Sequence, residues 1–89
     1  MIIQELTIQN KSGLHARPAT LWVQTAGRFQ SKIRLRKGER EIDGKSMLGI
    51  LSLGLSAGSV VQLLVEGPDE AAAAEELTKL ITDLADKGA

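Results

Sequence analysis

The sequence predicts an α+β fold in which helices cover one face of a mixed or antiparallel sheet. Three observations carry this. Apolar residues alternate along four short segments, as half-buried strands require. Between them the apolar spacing changes to the 3–4 residue period of helices. Turn clusters rich in Gly, Asn, Asp or Pro separate the segments. The order is strand, helix, strand, strand, helix, strand, helix, or βαββαβα.

Ile2, Leu6 and Ile8 share one side of the first strand, with Glu5, Thr7 and Gln9 opposite. Asn10-Lys11-Ser12-Gly13 then turns the chain. From Ala16 to about Gly27, Ala19, Trp22, Val23 and Ala26 form one apolar stripe, and Gly27 is a natural stop. Ile33 and Leu35 alternate with Lys32, Arg34 and Arg36, which gives the second strand a basic solvent side. Lys37-Gly38 turns, and Glu39 to Ile42 returns as a short third strand. Its polar character places it at the sheet edge, with Glu39, Glu41 and Asp43 in solvent. After Asp43-Gly44, Ser46 opens a short helix to about Leu53, stopped by Gly54. Val60 to Glu66 is the most apolar strand and belongs at the sheet centre. Gly67-Pro68-Asp69 breaks the chain, and Asp69 is placed to cap the last helix. Ala73, Leu77, Leu80, Ile81 and Leu84 give that helix its stripe to about Ala85. Glu70, Glu75 and Glu76 lie in its N-terminal half, as the helix dipole prefers.

The chain has 89 residues, room for a single domain over 1–89. Eleven basic residues balance eleven acidic ones, which argues against nucleic acid as the main partner. Absence of cysteine removes a disulfide scaffold, a thiolate metal site and a cysteine nucleophile. One histidine excludes a polyhistidine metal site, no calcium-loop spacing is present, and no cofactor is expected. No segment approaches the about 20 apolar residues of a membrane span. The N-terminus lacks the features of a signal peptide, so a cytoplasmic protein is expected.

Two segments offer chemistry. In Gly13-Leu14-His15-Ala16-Arg17-Pro18, His15 falls at the predicted start of the first helix. Unpaired backbone N–H groups and the helix dipole favour an anion there. Arg17 adds a guanidinium fork suited to phosphate oxygens. Both cationic fields disfavour imidazolium and are expected to lower the His15 pKa. An imidazole so placed can accept a phosphoryl group; it can equally be a plain helix-start residue. In Asp43-Gly44-Lys45-Ser46-Met47-Leu48-Gly49, Ser46 is first a helix N-cap and second a candidate for regulatory phosphorylation. Gly44-Lys45-Ser46 is no P-loop, because the position five residues before Gly44 is Glu39. Met47, Leu48, Ile50, Leu51, Leu53 and Leu55 are too many apolar residues for a two-turn helix to bury, so some face solvent as a docking surface or divide among core contacts. Trp22 and Phe29 read as core or near-core, and two aromatics are too few for stacking on single strands.

The stretch Gly13 to Thr20, Gly-Leu-His-Ala-Arg-Pro-Ala-Thr, resembles the active-site signature of the HPr family. These are the histidine-containing phosphocarriers of the bacterial phosphoenolpyruvate-dependent sugar phosphotransferase system. Lys45 to Gly54 resembles the family's second signature, around its regulatory serine. The resemblance runs over essentially the whole chain. It implies an open-faced β-sandwich: a four-stranded antiparallel sheet with three helices on one face. It implies that His15 accepts a phosphoryl group from enzyme I and passes it to enzyme IIA domains of sugar permeases. The chain would then be a carrier rather than an enzyme. Arg17 would steady the phosphoryl oxygens, and Ser46 would be the target of HPr kinase/phosphorylase. Thr20, Met47, Leu48 and Leu51 would form the docking patch. A transcriptional regulator is a further partner of this kind, and a monomer is expected. Gln24 and Gly27 stand where many members carry basic residues, and Trp22 is unusual, which suggests partial exposure near the docking face. A nitrogen-related regulatory branch with the same histidine, and a binding module without phosphoryl chemistry, are the alternatives.

Overall fold

The computed structural model describes residues 1–9, 13 and 16–86. The elements are β1 (Ile2–Thr7), α1 (Ala16–Ala26), β2 (Lys32–Lys37), β3 (Arg40–Asp43), α2 (Met47–Ser52), β4 (Val60–Glu66) and α3 (Glu70–Asp86). This is the expected order, with boundaries shifted by a residue or two. The turn Asn10–Ser12 and the tail beyond Asp86 lie outside the described residues.

The four strands form one sheet in the order β1-β4-β2-β3, with every pair antiparallel. The expected positions of two strands hold. The apolar β4 is interior, between β1 and β2, and the polar β3 is an edge. Alternation decides which side is covered. Leu6, Ile8, Ile33, Leu35, Val61, Leu63 and Val65 point inward and are buried. Helix residues Ala19, Trp22, Ala26, Ile50, Ala73, Leu77, Ile81 and Leu84 join them in one core. The opposite side carries Glu5, Lys32, Arg36, Gln62 and Glu66 in solvent. Leu64 also lies on that open side, yet it is shielded between its register neighbours Ile3 and Arg34.

Trp22 corrects one expectation. It is completely buried rather than partly exposed, and its indole N–H donates to the Gly44 carbonyl at 3.0 Å. The core reading of this residue holds. The bond fastens α1 to the turn that leads into α2. A second bond spans the same junction, from Lys45 Nζ to the Phe29 carbonyl at 2.7 Å.

Asp69 also departs from expectation. Its carboxylate does not turn toward α3 but accepts from the backbone N–H groups of Gln30 and Ser31, both at 2.9 Å, and from the Ser31 hydroxyl. The Asp69 backbone carbonyl still accepts from the Ala73 N–H at 3.0 Å, while the Glu70 carboxylate accepts from the Gly67 N–H at 3.2 Å and pairs with the N-terminal ammonium at 3.2 Å. The chain approaches so closely here that a Cβ on Gly67 would lie 2.6 Å from Ser31 Cα, so only glycine fits. The Ser31 hydroxyl and then the Gln30 N–H hold the Asp69 carboxyl below its ordinary value of 3.8.

Two predictions follow from these contacts. Trp22→Phe leaves the buried Gly44 carbonyl without its donor and should cost about 1–3 kcal/mol, read as a lower urea midpoint. An unchanged midpoint would show that the bond adds nothing. For Asp69 the folded-state pKa is depressed, so its contribution is complete above pH 3.8 and fades as pH falls toward the lower folded value. Asp69→Asn should therefore be less stable than the native chain at pH 7, with the gap narrowing below the ordinary carboxyl range. Urea unfolding at both pH values checks this, and a gap independent of pH would refute it.

Candidate functional site

The expected site draws on two segments, the start of α1 and the whole of α2. His15 and Leu14 lie outside the described residues. The residues on either side of them are informative. Gly13 is buried and has a left-handed φ of 67°. A Cβ there would come within 2.2 Å of the Leu55 carbonyl oxygen and 2.8 Å of Ser56 Cα. Gly13 therefore both turns the chain and lets it press against the loop that follows α2. Two residues on from Leu14, α1 begins at Ala16.

Arg17 and Pro18 occupy the first turn of α1, where proline's missing N–H is no loss. Pro18 is buried. Arg17 is exposed, and its guanidinium makes no hydrogen bond or ion pair with another described residue. That leaves its planar fork available to an anion at the N-terminal end of α1. No acidic side chain lies in this first turn to compete.

Arg17, Thr20, Leu21 and Gln24 share one solvent face of α1 by their i, i+3, i+4, i+7 spacing. Thr20 donates to the Ala16 carbonyl at 2.8 Å and lies 4.0 Å from Met47 Sδ. Two expected docking residues from distant parts of the chain are thus neighbours. Leu21 is 41% exposed and was not anticipated as part of this surface. Its signal in the sequence is that it is an apolar residue off the Ala19–Trp22–Val23–Ala26 stripe.

Ser46 is the N-cap of α2, as expected, and its hydroxyl accepts from the Gly49 N–H at 3.1 Å. It is only partly covered. The apolar residues of this segment divide by direction. Ile50, Leu53 and Leu55 are buried, and Met47 is half-buried against the core. Leu48 is 80% exposed and Leu51 41%. Both exposed leucines are among the expected docking residues. Gln24 is exposed on the same face as Thr20, and α1 carries no lysine or arginine beyond Arg17 in its first turn.

The described residues contain no group of three or more His, Asp or Glu side chains placed to hold a metal ion. None of their helices is long and apolar enough to cross a membrane. Among the described residues, the site presents the first turn of α1 with one exposed arginine, beside an apolar surface at the protein's exterior.

Comparison with known proteins agrees with this architecture. Residues 2–83 match the family model for the PTS HPr component phosphorylation site. The phosphocarrier protein HPr of Treponema pallidum is 41% identical over 80 residues, 90% of this chain and 91% of that protein. The crystal structure of HPr-C-His from Thermoanaerobacter tengcongensis has a TM-score of 0.93 at 46% identity, covering 97% of both chains. A crystal structure of Crh, the Bacillus subtilis catabolite repression protein, described as a domain-swapped dimer, is 39% identical with a TM-score of 0.75, covering 94% of this chain and 97% of its own. With the sheet order, the three helices and nearly the full length in common, this chain belongs to the HPr family, the phosphocarriers of the phosphotransferase system.

Proposed function

We propose that this chain accepts a phosphoryl group on His15 from phospho-enzyme I and passes it to enzyme IIA domains of sugar permeases in the cytoplasm. The observation that carries the reading is the uncommitted Arg17 fork in the first turn of α1, two residues after the only histidine in the chain. In the forward step the N–P bond of the donor histidine breaks as a new N–P bond forms at His15 Nδ1. Arg17 and the first N–H groups of α1 share the charge of the phosphoryl oxygens. One arginine and a helix terminus form a light grip, as a carrier needs: it must release the group to the next histidine. The in-line geometry of each transfer comes from the docked complex.

Docking uses Thr20, Met47, Leu48 and Leu51, with Leu21 added by its exposure and its place on the Thr20 face. Ser46 is the regulatory serine, modified by a kinase of the HPr kinase/phosphorylase type. A phosphate on it would place about two negative charges beside Met47 and Leu48. In this reading the working state is a monomer. A second reading, a regulatory binding module without phosphoryl chemistry, draws on the likeness to the Bacillus subtilis catabolite repression protein.

Incubation with phosphoenolpyruvate and an active enzyme I should add one acid-labile phosphoryl group to the native chain and none to His15→Ala, read by intact mass. No added mass on the native chain, with the enzyme I active on a known carrier and then replaced by that of the source organism, would favour the regulatory reading. Ser46→Asp should slow transfer from enzyme I, by repulsion and by the cost of burying the charge at the contact. Equal rates for the two proteins would remove Ser46 from control of this step.

A further inference from the structure

The helix that carries Leu48 and Leu51 has six residues, Met47–Ser52, and no basic residue in its last turn. A helix this short does not hold itself together in water. Burial of Ile50 fastens one side, and Ser46 closes the N-terminal end. The C-terminal end is closed from elsewhere in the chain. Arg40 Nη1 donates to the Ser52 carbonyl at 2.8 Å, and Arg40 Nη2 to the Ser52 hydroxyl at 3.3 Å. That hydroxyl in turn donates to the Gly49 carbonyl at 2.6 Å. Lys37 Nζ sits 3.4 Å from the carbonyl oxygens of both Leu53 and Gly54.

Lys37 and Arg40 are the paired residues that flank the Gly38-Glu39 turn between β2 and β3. The tip of this hairpin therefore presents two cations to the negative end of α2. Charge and geometry agree: the last carbonyls of a helix lack internal donors, and the dipole favours positive charge beside them.

We propose that Arg40, assisted by Lys37, is a positioning residue for partner docking: by closing the C-terminal end of α2 it holds Leu48 and Leu51 in the orientation that a phosphotransfer partner meets. The inference rests on the carrier reading above. Arg40's hydrogen bonds go to Ser52, at the far end of α2, and not to Arg17 or Thr20 on α1. Its effect is confined to how readily the partner engages the exposed leucines, so it acts on KM and leaves the transfer itself alone.

The test compares the native chain with Arg40→Met, which keeps the stem without the donors, and Arg40→Lys, which restores a cation. Amide hydrogen exchange by NMR reads the helix end directly at Leu53 and Gly54, whose N–H groups donate to Ile50 and Leu51. Exchange there should be about two- to fivefold faster in Arg40→Met and partly restored in Arg40→Lys. In transfer from phospho-enzyme I, KM for Arg40→Met should rise measurably with kcat unchanged, by a smaller factor than exchange because KM follows the closed fraction of the helix end, and Arg40→Lys should lie between. Unchanged exchange overturns the proposal, and so does an unchanged KM. A raised KM with unchanged exchange overturns it too, because the effect then belongs to rim charge alone. If the native chain accepts no phosphoryl group, the carrier reading fails, and the exchange comparison alone decides whether Arg40 holds the helix.

Discussion

The burial of Trp22 governs how the two functional segments stand to one another. Its indole fills the space under α1, and its single N–H reaches the Gly44 carbonyl across the core. A buried aromatic of this size offers the largest apolar gain of any side chain in the molecule, but it must also satisfy its donor. Only the turn after β3 supplies the acceptor. The consequence is that α1 and the start of α2 are set at a fixed separation, with Lys45 bonded to Phe29 across the same junction. Thr20 and Met47 meet on the outside because Trp22 and Gly44 meet on the inside.

The sheet provides the platform for this arrangement. Its inward side is apolar on the three longer strands apart from Gln4 and Lys37, and it receives the helices. Its outward side is charged, and Arg34 and Arg36 both pair with Glu41 there, at 3.0 Å each. These guanidinium groups hold the Glu41 carboxyl below the usual carboxylate range, with Arg36 the larger influence. Exposed pairs of this kind contribute little to stability. They do give the edge strand β3 a charged surface that discourages pairing with another chain. The Asp69 clasp on Gln30 and Ser31 joins the start of α3 to the start of β2, so the long helix and the sheet are tied where the chain would otherwise splay.

Around the site, the distribution of charge explains a carrier better than an enclosed catalyst. α1 has no acidic residue in its first turn and presents Arg17 to solvent. Beyond Arg17, α1 itself carries no cation. Positive charge adjoining the exposed leucines comes instead from the β2–β3 hairpin, where Lys37 and Arg40 face the end of α2.

The sequence by itself determined the order of elements, the inward-facing residues and the interior place of β4, because a period of 2 or 3.6 in apolar residues is a local property that burial enforces. It also marked the Gly13–Thr20 and Lys45–Gly54 segments and the N-cap role of Ser46, which depends only on the residues just after it. Tertiary structure decided what depends on distant partners. Trp22 was legible as apolar, but its complete burial follows from the Gly44 carbonyl, 22 positions away. Asp69 looked like a cap for α3, yet two N–H groups and a hydroxyl near residue 30 offer its carboxylate more bonds than its own helix does. The division of the second segment into buried Ile50 and exposed Leu48 and Leu51 required knowing which side of a two-turn helix meets the core. The capping of that helix by Arg40 could not be read from its own residues, because the donor lies across a hairpin that only the sheet register brings into place.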